Sequence, residues 1–564
     1  MTDTPRNRTV RLRIVETSDV HGSFFAYDFV RRRPTRGSLA RVDAYVQRLR
    51  STYGSNLLLL DNGDILQGQP PAYYYNFLDP TAPMHPVAEM MNYMHYDAGN
   101  VGNHDIETGR PVIDRWTADC RFPILGANVI ETATGKPRFT PYIVFERDGV
   151  RIAVLGMITP AVPMWVSAEL WQGLRFDDME QTARRWMPVL RGEERADIVI
   201  GLFHSGTQAV TVGNRYREDA TVEVAQHVPG FDIVLCGHSH YRECFYADVD
   251  GGGRVLVVNP SNAATVVGDV SVTCTLRDGK VIGKTIEGGL ESVAATDISP
   301  MFMQQFAFKF AAVEHFVSRR IGRLTCTISA RDAYFGPSAF VDIVHRVQLE
   351  VTGADISMAA PLSYNAVVHQ GSLYMSDMFS LYKYENTLYT LDLTGREILG
   401  YMEHSYSLWT DQMLTPDDHV LLVDKDYEKT SGHPCLVNPM FNFDSAAGII
   451  YTVDVTKPTG HKVSILSMAD GSAFDPDRHY TVTVNSYRGS GGGEHLTKGA
   501  GIASDELRQR IIAISKHHLR YYLAEYVKRH HTINPRPLNQ WKLVPEEWVR
   551  PAAERDRRLL FSGI

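Results

Sequence analysis

The sequence predicts an α/β protein of two domains, from its length, one leucine strand that stops in a polar turn, and four further stretches that repeat that pattern. At 564 residues the chain is too long for one hydrophobic core. Leu57-Leu58-Leu59-Leu60 reads as a strand buried on both faces, as central parallel strands are. It runs into Asp61-Asn62-Gly63-Asp64, so that Asp64 lies at the strand's carboxyl end, where open α/β sheets gather their ligand sites.

The other four stretches follow the same syntax of an apolar run and then Gly, His, Asn or Asp. Arg13-Ile14-Val15 leads to Asp19-Val20-His21, and Asn100-Val101 to Gly102-Asn103-His104-Asp105. Ile198 to Phe203 leads to His204, and Ile233 to Gly237 leads to His238-Ser239-His240. Strand ends thus deliver Asp19, His21, Asp64, Asn103, His204, His238 and His240 to one crevice. Imidazoles, carboxylates and a carboxamide without thiolates suit Mn²⁺, Zn²⁺, Co²⁺ or Fe²⁺. The set is too large for one tetrahedral ion and suits two divalent ions that share a carboxylate. Two such ions can hold a hydroxide as nucleophile and clamp a phosphoryl group, so the expected chemistry is phosphoester hydrolysis.

Composition excludes other classes. Hydrophobic residues make up 44% and charged residues 22%, as in ordinary globular proteins, and a net charge of -8 offers no basic footprint for a nucleic-acid polymer. Cys120, Cys236, Cys244, Cys274, Cys326 and Cys435 are scattered without zinc-knuckle or disulfide-framework spacing and read as isolated thiols. No apolar segment of about 18 residues is present, so no membrane span is expected. The N-terminal stretch before the first strand has no apolar core of a signal peptide, which reads as cytoplasmic.

Along the chain, residues 9–295 alternate strand-like and helix-like segments and contain every loop just named. Ser299 and Pro300 mark a helix start, and Phe302, Phe306, Phe310, Val313 and Val317 form one apolar stripe, so 298–322 is expected to be a linker helix between domains, closed by Gly322. Residues 323–535 form a second α/β domain. In it Asn386 to Leu393 alternates as a strand, and Thr394-Gly395-Arg396-Glu397 is a capping box. A glycine-rich loop, Gly489-Ser490-Gly491-Gly492-Gly493, follows a Thr-Val strand, and a helical region is expected from Ser504 to about Arg529. The tail, 536–564, reads as irregular because of Pro537, Pro545 and Pro551, with Trp541 and Trp548 docking it on the body.

Asp19-Val20-His21, Gly63-Asp64, Gly102-Asn103-His104-Asp105, His204 and Gly237-His238-Ser239-His240, in that order, resemble the signature of the calcineurin-like metallophosphoesterases. The resemblance implies a β-sandwich flanked by helices for the first domain. It implies one ion on Asp19, His21, Asp64 and His240 and another on Asp64, Asn103, His204 and His238, with Asp64 as the bridge. His104 would touch the phosphoryl oxygens rather than metal, and Glu107, three residues on, would orient it. Asp105 is expected to support the site or the fold.

Domain order and linker resemble the two-domain 5′-nucleotidases, whose C-terminal domain sandwiches the base between aromatic rings. The matching positions are Phe443 and Tyr487, and Asn386, Gly491 and Gly492 complete the implied substrate-binding set. The Asp that usually follows the paired glycines is absent, and Ala359-Ala360-Pro361-Leu362 stands where 5′-nucleotidases carry Gly-Gly-x-Arg. Tyr382 to Leu388, His85-Pro86-Val87 and Asp61-Asn62-Gly63-Asp64 instead resemble the 2′,3′-cyclic-nucleotide 2′-phosphodiesterase/3′-nucleotidase branch. That branch implies hydrolysis of 2′,3′-cyclic nucleotides and 3′-nucleotides to nucleoside and phosphate. The alternatives are a 5′-nucleotidase or nucleotide-sugar hydrolase and, in a different class, a non-catalytic nucleotide-binding protein. The partner implied is a small nucleotide, and the resemblance points to a periplasmic or secreted setting.

Overall fold

The computed structural model describes residues 7–79, 82–212, 216–427 and 433–562. The chain separates into two compact units, 1–316 and 317–564.

In the first unit the Leu57–Asp61 strand is buried along its whole length. It pairs in parallel with Arg8–Thr17 on one side and Ala98–Asn100 on the other. The full sheet runs Lys280–Ser292, Val266–Arg277, Arg8–Thr17, Leu57–Asp61, Ala98–Asn100, Ile124–Leu125. A second six-stranded sheet runs Arg242–Asp248, Arg254–Pro260, Ile233–Cys236, Ile198–His204, Val150–Ile158, Tyr142–Arg147, parallel through its four central strands. Leu12, Ile14, Leu58 and Leu60 from the first sheet and Val154, Ile200, Leu202, Ile233 and Leu235 from the second fill the layer between them. Helix Leu39–Tyr53, started by Ser38, whose side chain accepts the Arg41 N–H, packs on the outer face of the first sheet. Helices Met179–Pro188 and Thr221–His227 supply the apolar cover of the second. The β-sandwich flanked by helices is therefore the architecture observed, and it puts the carboxyl ends of parallel strands from both sheets at one edge.

The linker differs from its expected form. Ser299 caps the start, but the helix breaks at Phe306 into Pro300–Gln305 and Ala307–Val317. Its stripe packs within the first unit: Phe302 against Phe25 and Tyr93, Phe310 against Phe25, Tyr27 and Phe29. Gly322 does not end a helix; it lies in strand Arg320–Leu324, where a Cβ would come within 2.5 Å of Val527.

The second unit is built on a five-stranded sheet, Ser445–Ala447, Ile356–Ala359, His479–Asn485, Leu388–Thr394, Ile511–Ile514. The capping box forms: Thr394 accepts the Glu397 N–H and Glu397 accepts the Thr394 N–H, opening helix Gly395–Trp409. The expected helix over 504–529 is interrupted, because Ile511-Ile512-Ala513-Ile514 joins the sheet edge before helix Leu519–His530 begins. The tail is regular. Trp541–Val544 pairs in parallel with Ile449–Asp454, and Glu546–Phe561 is a 16-residue helix. Pro545 serves as its N-cap, so that proline marks a helix start rather than an irregular stretch. Its buried face carries Val549, Ala552, Leu560 and Phe561, and buried Asp556 accepts the backbone N–H groups of Val420 and Leu421.

All six cysteines are free, and among the described residues no helix is long and apolar enough to cross a membrane. Ending the chain after Pro545 should expose the apolar face of the second unit. At about 1.5–3 kcal/mol per large buried side chain the loss rivals a domain's whole stability. We expect rapid proteolysis of residues 317–545 in the shortened chain, with the first unit resistant; limited proteolysis with mass spectrometry reads both.

Candidate metal centre

The sandwich edge collects all seven expected ligands. Asp19, His21 and His240 converge in one group and Asp64, His204 and His238 in another, each with ligand atoms within 4.8 Å of one another. His21 Nε2 and His240 Nε2 lie 3.1 Å apart, with Asp19 Oδ1 3.2 Å from His240 Nε2. In the second group His204 Nε2 is 3.1 Å from Asp64 Oδ2 and 3.1 Å from Asn103 Oδ1, and His238 Nδ1 is 2.9 Å from Asn103 Oδ1.

Backbone aims two of the candidate histidines and the Asp64 turn. His204 Nδ1–H donates to the Asn62 carbonyl at 2.7 Å and His21 Nδ1–H to the Gln67 carbonyl at 3.2 Å, which turns both Nε2 lone pairs inward. Asp105 accepts the N–H groups of Asp64, Ile65, Leu66 and Gly102, so it shapes the turn that presents Asp64. Asp19, His21, Asp64, His238 and His240 all have φ between 48° and 69°, left-handed backbone that side chains rarely adopt. Such clustering is typical of functional sites. Two motif glycines make room for ligand carboxylates: a Cβ on Gly102 would sit 2.1 Å from Asp64 Oδ1, and one on Gly237 2.6 Å from Asp19 Oδ2.

The residues fit divalent cations. Asp19 Oδ1 is buried and accepts no hydrogen bond. Two imidazole nitrogens point at one spot beside it. Burial disfavours a charged His204, yet the facing carboxylates of Asp64 and Asp19 outweigh it and push its pKa up to about 10, a measure of how strongly this pocket draws positive charge.

His104 lies at the rim, its ring 5.5 Å from that of His21. Its N–H donates to Asp64 Oδ1 at 2.8 Å, and its Nδ1 meets Glu107 Oε2 at 2.5 Å. Burial lowers its pKa, but Asp64 and Glu107 outweigh that and push it up to about 9. Glu107 thus stands where an orienting carboxylate is expected.

Three side chains near the centre were not singled out from the sequence. Glu218 meets His238 Nε2 at 3.1 Å, Trp165 stacks on His238 at 5.5 Å, and the Asn262 side chain lies 3.0 Å from His240 Nδ1. None sits in a Gly-His or Asp-x-His pattern, and only their strand and loop neighbours place them here.

In the second unit Tyr487 and Phe443 do not face each other. Phe443 is fully buried, stacked on Trp409 at 5.5 Å and 3° and edge-on to Tyr334, as part of the unit's core. The ring that meets Tyr487 is Phe441, at 6.2 Å and 88°. Arg488, buried, fixes both segments: it donates to Asp444, to the Phe441 carbonyl and to the Gly492 carbonyl. Gly491 adopts φ 104°, and a Cβ on Gly492 would press on the Tyr487 ring at 2.6 Å. Asn386 is buried, its Oδ1 accepting from the Tyr382 hydroxyl at 3.2 Å, close to the strand end at Asn485.

Fold and site define a two-domain phosphoesterase. Residues 12–242 match the family described as calcineurin-like phosphoesterase, and residues 320–498 match the 5′-nucleotidase C-terminal domain. The chain belongs to the calcineurin-like phosphoesterases that carry this second domain, and is a hydrolase of phosphoric ester bonds. It is 26% identical over 96% of its length to a 2′,3′-cyclic-nucleotide 2′-phosphodiesterase/3′-nucleotidase of Yersinia enterocolitica, covering 89% of that relative. It is also 26% identical over 95% of its length to a trifunctional nucleotide phosphoesterase of Bacillus subtilis, of which it spans 39%. A Staphylococcus aureus structure assigned as a 5′-nucleotidase and solved with alpha-ketoglutarate shares the fold, with a TM-score of 0.79 and 22% identity over 94% of this chain and 99% of that one. Calcineurin-like phosphoesterases use divalent metal ions.

A Gly102→Ala substitution should displace Asp64 without touching any ligand residue. We expect the purified variant to keep its circular dichroism spectrum and to lose at least half of its bound metal, read by elemental analysis.

Proposed function

We propose that the chain hydrolyses 2′,3′-cyclic nucleotides to 3′-nucleotides and then removes the 3′-phosphate, using two divalent ions drawn from Mn, Zn, Co and Fe. The observation that carries this reading is the convergence of Asp19, His21 and His240 with Asp64, Asn103, His204 and His238 about buried, unsatisfied Asp19 Oδ1, with His104 alongside. The ions would supply Lewis-acid polarisation of the phosphoryl group and activation of water. The chain's own residues do the rest. Asp64 would serve both positions, its turn fixed by Asp105. His104, its Nδ1 held by Glu107, would donate to a phosphoryl or leaving-group oxygen. In each step one P–O ester bond breaks and water supplies the new P–O bond and the proton of the released alcohol.

The choice of the cyclic and 3′-substrates is supported by the relatives of that name that align along nearly the whole chain, and by Ala359-Ala360-Pro361-Leu362 in place of an arginine-bearing segment. A base is held by Tyr487 together with Phe441 rather than Phe443, beside a loop in which Gly492 leaves room for the Tyr487 ring.

Phosphate and nucleoside release from 2′,3′-cyclic AMP, 3′-AMP, 5′-AMP and a nucleotide sugar, with Mn²⁺ and after chelation, tests the reading. Chelator-sensitive turnover of the first two, abolished in Asp64→Asn, is the expected result. Turnover confined to 5′-AMP or the sugar would make the chain a 5′-nucleotidase or nucleotide-sugar hydrolase, and turnover of none would make it a nucleotide-binding protein.

The aromatic residues separate by the kind of loss they cause. Phe443→Ala should destabilise the second unit by about 3–5 kcal/mol in urea unfolding. Tyr487→Ala and Phe441→Ala should leave stability nearly unchanged and raise KM roughly tenfold, the scale of one lost base–aromatic stack.

A further inference from the structure

The two histidines of the Gly237-His238-Ser239-His240 turn enter the centre through opposite ring nitrogens. His238 presents Nδ1, 2.9 Å from Asn103 Oδ1, and turns Nε2 outward to Glu218 Oε1 at 3.1 Å. His240 presents Nε2, 3.1 Å from His21 Nε2, and turns Nδ1 outward to Asn262 Nδ2 at 3.0 Å. A neutral imidazole has one N–H and one lone pair, so the group that accepts the outer proton points the lone pair inward. Glu218 accepts as a carboxylate. Asn262 faces Nδ1 with its amide nitrogen, and a 180° turn of the carboxamide, which leaves its shape unchanged, puts Oδ1 there to accept the Nδ1–H.

Both outer groups are held by structure of their own. Strand Tyr216–Asp219 is fastened to the residues after His204: Ser205 Oγ–H donates to the Glu218 carbonyl at 2.8 Å and the Gly206 N–H to Asp219 Oδ1 at 2.6 Å. Asn262 lies in a loop where Ser261, Ala263 and Ala264 have φ of 68°, 56° and 48°. Left-handed backbone is unfavourable for a non-glycine residue, and alanine has no polar side chain to offset it. The offset comes from the centre itself: Ser261 Oγ–H donates to the His240 carbonyl at 2.9 Å, and the Ala263 N–H donates to the Asp19 carbonyl at 2.8 Å. Strained backbone thus braces two ligands of the same group.

We propose that Glu218 and Asn262 are positioning residues, one for each histidine, and that their difference in charge ranks the two metal positions. The position of Asn103, His204 and His238 binds its ion more tightly than that of Asp19, His21 and His240. A carboxylate behind an imidazole raises its strength as a donor, whereas a carboxamide only fixes its orientation. Exposure acts in the same direction, since the His204 side chain is 0% exposed and the His240 side chain 40%. This inference rests on the two-ion reading above.

Mn²⁺ titration of the chelator-treated full chain, followed by calorimetry, tests it. Wild type should take up two ions in two resolvable steps. Glu218→Ala should weaken the tighter step 10–100-fold and Asn262→Ala the weaker step by a similar factor, the range typical of lost partners behind a metal ligand. Glu218→Gln, which keeps an acceptor without the charge, should narrow the gap between steps, and Asn262→Asp should strengthen the weaker one. Unfolding temperatures measured without metal show whether the alanine variants fold; where they do not, the Gln and Asp variants carry the test. Step constants within about twofold of wild type in both charge-changing variants would overturn the proposal, because lost partners of this kind cost far more. Loss of a whole ion in Glu218→Ala would overturn it too, by making Glu218 itself a ligand. Uptake of fewer than two ions by wild type would instead overturn the two-ion reading.

Discussion

The turn that carries Asp64 is the constraint on which the centre depends. Asp64 sits just past the end of a strand buried on both faces, in left-handed backbone, and its turn would not hold that shape unaided. One carboxylate does it: Asp105 gathers four backbone N–H groups from residues 64–66 and 102. A carboxylate accepting several backbone N–H bonds satisfies donors that would be costly to bury unpaired. The same turn offers the Asn62 carbonyl to His204 and Asp64 Oδ1 to the His104 N–H. Asp64, His204 and His104 therefore depend on one piece of backbone.

Beneath that turn, carboxamides tie the two sheets together. Asn62 Nδ2 donates to Glu16 Oε1 and to the Phe203 and Leu235 carbonyls, while its Oδ1 accepts from Asn100 Nδ2, which also donates to the Met157 and Leu202 carbonyls. Both residues are fully buried at the ends of first-sheet strands, and the carbonyls they reach belong to the second sheet. The bonds of this polar network are strengthened by the low-dielectric interior, although Asn100 Oδ1 and Glu16 Oε2 are buried in it without a partner. It fixes the relative height of the strand ends, and hence the distance between Asp64 and His204.

What could be read in the sequence was whatever is written locally. The candidate ligands stand within a few residues of an apolar strand, so residue type and position together picked out all seven, while His104 and Glu107 were singled out only through the family resemblance. Side chains that act across the fold left no such trace. Glu218 and Asn262 are 20 and 22 residues from their histidines. Phe443 sits in a loop beside the ring that meets Tyr487, and nothing in Asn442-Phe443-Asp444 says that the ring turns inward onto Trp409. The tail misled for a related reason: its prolines read as breakers, yet Pro545 caps the last helix and Pro551 is carried inside it.

The contrast between ligand and brace explains how the centre tolerates its strain. Five ligands in left-handed backbone cost on the order of 1 kcal/mol or more each, and nothing in the ligands themselves repays this. The compensation comes from hydrogen bonds with residues outside the ligand set: the Ser261 hydroxyl to the His240 carbonyl, the Ala263 N–H to the Asp19 carbonyl, and the N–H groups of the Asp64 turn to the Asp105 carboxylate. Each such bond is worth roughly 1 kcal/mol, more where a charged group takes part. Strain and brace are of similar size, so the loops are held without surplus. The sandwich, by contrast, is held by apolar burial along every strand. Substitutions in the braces should therefore act on the geometry of the centre before they act on the stability of the fold.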